Sequence, residues 1–78
     1  MLQRDSPRPL SRQLADLLKR EIASGERAPG SRLPSINELA AEHDVATATV
    51  VKAYRILRTE GVIVGSSGVG TFVAESGD

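Results

Sequence analysis

Two apolar stripes at helical spacing, on helices joined by about four residues, constrain this chain more than any other feature. The first follows Ser35-Ile36-Asn37-Glu38, a capping box in which Ser35 and Glu38 satisfy each other's backbone amides, and it buries Leu39 and Ala40. The second is Val50, Ala53, Tyr54 and Leu57, at i, i+3, i+4 and i+7, and it ends at Gly61. Between them, His43-Asp44-Val45 leaves room only for a short turn, and Asp tolerates the left-handed conformation such a turn needs. Two helices joined this way form a helix-turn-helix.

The flanks complete the fold. Leu10, Leu14, Leu17, Leu18 and Ile22 make one stripe, predicting a helix from about Ser11 to Ser24 that Gly25 closes. Residues 25–34 read as a loop, with a Pro29-Gly30 turn and Leu33 as its one large apolar anchor. The first nine residues, with Pro7 and Pro9 flanking Arg8, are expected to form a flexible, extended arm. After Gly61, Val62-Ile63-Val64 and Thr71-Phe72-Val73 flank a Gly- and Ser-rich turn, which predicts a β-hairpin. The expected class is α+β, mostly α: a winged helix-turn-helix of three helices and a two-stranded wing. It spans residues 10–74, with 75–78 as a tail or the start of a linker.

Composition narrows the chemistry. The 78 residues contain no Cys, which removes disulfides, thiolate zinc sites and cysteine nucleophiles, and a single His43 cannot build a metal cluster. No nucleophile–base constellation is visible, so neither an enzyme nor a cofactor is expected. Glu38 and Glu42 share a helix face at a four-residue spacing, which reads as a solvated face. Gly65 to Thr71 faintly resembles a phosphate loop, but no Lys precedes Thr71, and a hairpin turn explains it. The longest aliphatic run, Val62-Ile63-Val64, is far short of a membrane span, and the N-terminus lacks a signal peptide's apolar centre. A cytoplasmic chain with no membrane partner is therefore expected.

Ten Lys and Arg balance ten Asp and Glu, so no global field advertises a polyanionic partner. The distribution is uneven, however. Residues 1–34 hold seven basic against four acidic side chains, and residues 45–60 hold Lys52, Arg55 and Arg58 against Glu60. With Val50, Ala53, Tyr54 and Leu57 buried, the opposite stripe of the third helix is Ala48, Val51, Lys52 and Arg55. That face suits a major groove: Lys52 and Arg55 bring positive charge, while Ala48 and Val51 offer only apolar contact to thymine methyls. Thr47 and Thr49 add hydroxyls for phosphate or base edges. The helix N-terminus opened by Ser35 presents amides to a phosphate, and Arg32 just upstream offers a second such contact.

Four motifs in order then resemble one family. Gly25 to Leu39 (GERAPGSRLPSINEL) looks like the GntR signature, Thr49 to Leu57 followed by Glu60-Gly61 resembles its third helix, and Gly68 to Val73 its wing. The Thr-Val-Val-Lys-Ala-Tyr run is most similar to the family's short-effector, YtrA-type branch. The resemblance, from about Leu10 to Ala74, implies a transcriptional regulator binding double-stranded DNA, at an inverted-repeat operator, as a homodimer. It implies an effector ligand only through a C-terminal domain outside this chain, so either a cut-out domain or a free-standing small protein fits. By the same resemblance, Asn37, Ser67 and Gly68 join the DNA-facing set. The family's arginines are missing, with Asn37, Thr47 and Val51 in their places, and Ala46 stands where a capping Ser is usual.

A second reading starts from Ile36 and Ile56. Both fall outside the predicted stripes, and exposed apolar residues mark partner surfaces. On that reading the chain is a winged helix that has drifted toward protein–protein contact.

Overall fold

The computed structural model describes residues 2–66 and 70–75. Three helices, α1 (Leu10–Ala23), α2 (Ile36–His43) and α3 (Thr47–Thr59), precede two strands, β1 (Ile63–Ser66) and β2 (Gly70–Val73). The strands pair antiparallel, with Ile63 opposite Val73 and Val64 opposite Phe72. This is the expected winged helix-turn-helix.

Local chemistry sets the boundaries. α1 begins one residue before the expected start, with Pro9 as its N-cap. Gly25 (φ 89°) turns the chain out of α1, and Gly61 (φ 77°) does the same after α3. The Ser35–Glu38 capping box is formed in both directions, at 3.1 and 2.8 Å. His43, expected in the turn, is the last residue of α2, and Asp44 alone takes the left-handed conformation (φ 54°).

Leu14, Ala15 and Leu18 of α1 meet Val50, Ala53, Tyr54 and Leu57 of α3 in one core, which Leu39 and Ala40 of α2 close from the side. Ile63 and Val73 of the wing and Leu33 of the loop seal its end. Ile56, expected to be exposed, is half-buried against this core. The core wraps further around α3 than a four-residue stripe indicates.

Two segments differ from the sequence-based expectation. The loop ends in a single β-bridge, Arg32 opposite Phe72, against the outer edge of β2: Gly30 N–H donates to Val73 O (2.9 Å), Val73 N–H to Ser31 O (2.9 Å) and Leu33 N–H to Thr71 O (2.8 Å). The N-terminal segment turns back on α1 rather than running extended. The Gln13 amide is the reason: it donates to the carbonyls of Gln3 (2.9 Å) and Arg8 (2.8 Å) and accepts from Gln3 N–H (2.6 Å). Leu2 then packs on the core. Gln13 is buried, and this clamp satisfies its polar atoms, avoiding the cost of an orphaned amide.

Candidate nucleic-acid interface

The outward stripe of α3 is laid down by its helical period. Val50, Ala53, Tyr54 and Leu57 are buried, while Thr47, Ala48, Val51, Lys52, Arg55 and Arg58 are exposed and Thr49 is half-buried. Position 58 continues the face through 51 and 55. Ala46 caps α3 with backbone alone, and Thr47 supplies no side-chain cap. α3 is anchored by the Tyr54 hydroxyl, which donates to Pro34 O at 2.6 Å and so ties it to the entry of α2. Burial pushes the Tyr54 phenol up to about 12.

The start of α2 is less open than expected. Ser35 Oγ accepts from Glu38 N–H, and the Glu38 carboxylate occupies the Ser35 amide. Hydrogen bonds to its carboxylate, first the one from the Ser35 backbone amide and then one from the Ser35 side chain, hold the Glu38 carboxyl below its usual range; the Arg32 charge adds a smaller part. The Ser35 hydroxyl is thus committed as a cap, leaving the Ile36 and Asn37 amides as the helix's open donors. Asn37 is exposed beside them.

Arg32 is placed by long-range pairing that no local sequence signal announces. Its backbone bridges Phe72, and its guanidinium lies over Gly70, where a Cβ would meet Arg32 Nε at 3.2 Å. Gly70 (φ 116°), the first residue of β2, therefore seats Arg32 against the wing, close to the entry of α2. Ser67 and Gly68 lie outside the described residues.

Ion pairing sorts the basic side chains. Arg8 and Arg12 pair with Asp16, Arg12 and Lys19 with Glu60 (3.3 and 2.8 Å), Arg27 with Glu21 (2.7 Å) and Arg4 with Asp44 (3.9 Å). The Lys19 hydrogen bond, with Arg12 beside it, holds the Glu60 carboxyl below its ordinary value. Among the described residues, Arg20, Arg32, Lys52, Arg55 and Arg58 make no ion pair. Acid partners thus hold Arg4, Arg8, Arg12, Lys19 and Arg27, whereas three of the five unpaired cations lie on the outward face of α3. Also among the described residues, no group of His, Cys, Asp and Glu is placed to hold a metal ion, and no helix is long and apolar enough to cross a membrane.

A family model for bacterial regulatory proteins, gntR family, matches residues 10–73. The chain belongs to the GntR family. This GntR chain is 40% identical over 68 residues to the mannosyl-D-glycerate transport/metabolism system repressor MngR of Escherichia coli, an alignment covering 87% of the chain and 28% of that repressor. It superposes on YtrA from Sulfolobus acidocaldarius, a GntR-family transcription factor, with a TM-score of 0.86 and 40% identity, across 100% of this chain and 66% of that one. The DNA-binding domain of AraR, solved in complex with operator ORX1, matches with a TM-score of 0.86 and 28% identity over 95% of each chain. The chain spans less than a third of the length of the curated relatives it matches. It is a GntR-type DNA-binding domain of a transcriptional regulator.

Proposed function

We propose that this GntR domain docks α3 in the major groove and binds, as a homodimer, an inverted-repeat operator in the cytoplasm. The observation that carries the proposal is the segregation of charge: Lys52, Arg55 and Arg58 stand unpaired on the exposed face of α3, while the arm and α1 are largely neutralised by acids. In this reading Lys52 makes the central side-chain contact, flanked by Arg55, with Thr47 and Thr49 donating hydroxyls and Ala48 and Val51 filling the apolar gaps. Arg32 and the open amides at Ile36 and Asn37, held in place by the Ser35 cap, take phosphates. Ser67 and Gly68 join the DNA-contacting set by resemblance to the family alone. The domain performs no catalytic step and needs no cofactor. Any effector ligand enters through a further domain of a longer regulator.

In vitro selection of duplexes against the purified chain tests this directly. A pseudo-palindromic preferred sequence is expected, with Lys52→Ala weakening binding while amide spectra show an intact fold. Unchanged binding by that variant would overturn the groove-docking role of α3 and favour the protein-partner reading. The structure already weakens that alternative, because Ile56 is held against the core and only Ile36 of the pair is exposed.

A further inference from the structure

The exposed face of α3 carries an apolar step that folding does not require. Ala48 and Val51 are both exposed and stand three residues apart, so they are neighbours on one face, beside the Lys52 and Arg55 cations. Val51, 36% exposed, is one of three exposed large apolar residues among those described. A β-branched side chain at an exposed helical position is no help to the helix, and Val51 is not part of the core cluster. In a major groove, an aliphatic side chain finds one apolar feature on a base-pair edge, the C5 methyl of a pyrimidine.

Resting on the docking reading above, we infer that Val51, with Ala48 beside it, reads a pyrimidine C5 methyl and makes this domain's operator preference methyl-dependent. The contact is blind to the groups at C4. It therefore accepts 5-methylcytosine where it accepts thymine, and disfavours unmethylated cytosine and uracil. Cytosine methylation of the operator then becomes an input to binding, with no ligand involved.

The test uses the duplex selected by the chain itself and a set of single-position variants, with affinity followed by fluorescence anisotropy. Replacing thymine by deoxyuracil removes only the methyl. At one or two positions per half-site this is expected to weaken binding about fourfold, the worth of one buried methyl. At the same positions 5-methylcytosine is expected to bind about fourfold more tightly than cytosine. Val51→Ala, which improves helix propensity at an exposed site and spares the fold, is expected to bind thymine and deoxyuracil duplexes alike. Methyl sensitivity that survives in Val51→Ala overturns the assignment to Val51. Specific binding with no cost for any thymine-to-deoxyuracil change overturns the inference and leaves groove docking standing. Failure to select any preferred duplex overturns both.

Discussion

Tyr54 joins two parts of the helix-turn-helix through a single atom. Its ring belongs to the α3 core stripe, and its hydroxyl donates to the Pro34 carbonyl at the door of α2. Tyr54→Phe keeps the ring and leaves that carbonyl without its donor, so a loss of about 1 kcal/mol is expected. Calorimetry should show this as a drop in Tm of about 4–8 °C for a domain this small. The phenol also sets an alkaline limit. Its folded pKa is raised to about 12 from an unfolded value of 10.0, so the neutral form is the one the fold favours. The contribution is complete below pH 10.0 and is lost as the pH climbs toward 12. Urea denaturation at pH 8 and pH 11, chosen on either side of the unfolded value, should show the Tyr54 protein losing more stability between them than the Phe variant. Equal losses would mean that other groups set the alkaline limit.

The three helices differ in how firmly their ends are fixed. α2 has a complete capping box and a left-handed exit at Asp44, whereas α3 has Ala46 at its N-cap and no side-chain cap. Ala46→Ser supplies the missing acceptor for an amide of the first turn. It is expected to stabilise the domain by about 1 kcal/mol, read as a rise in Tm. An unchanged Tm would show that the first turn of α3 is fixed from elsewhere. These elements were legible in the sequence because their signals are local: Ser35 and Glu38, Gly25, Asp44, Gly61 and the apolar periods all act within a turn or two. What was not legible depends on partners far along the chain. The strand-like end of the loop needs β2 about forty residues later to give Gly30, Ser31 and Leu33 their hydrogen-bond partners. The fold-back of the N-terminus hangs on one buried amide, Gln13, which the apolar stripe of α1 passes over. Ile56 was misread for a related reason: a stripe marks the centre of a buried face and not its width. In the candidate interface, the exposed stripe of α3 followed from the helical period. The seating of Arg32 on Gly70 did not.

A chain with no net charge must create its field by sorting charges rather than by accumulating them. Glu60 shows how. By holding Arg12 and Lys19 it neutralises part of α1, and it leaves Lys52, Arg55 and Arg58 without an acid partner. Two basic side chains should therefore behave differently when removed. Arg55→Ala takes away an unpaired cation on the groove-facing stripe, and the plot of log K against log salt should become shallower by about one. The starting slope should itself be modest, about −2 to −3 for a single half-site, because few phosphates are neutralised. Arg12→Ala removes a cation already matched by Asp16 and Glu60, so the slope should not change. Its cost should fall on folding alone, and at less than about 1 kcal/mol, since the pair is solvent-exposed. Binding isotherms over a series of salt concentrations, with thermal melts of the same variants, separate the two effects. Equal slope changes in the two variants would mean that DNA senses total charge, and the sorting of cations by Glu60 would then have no part in recognition.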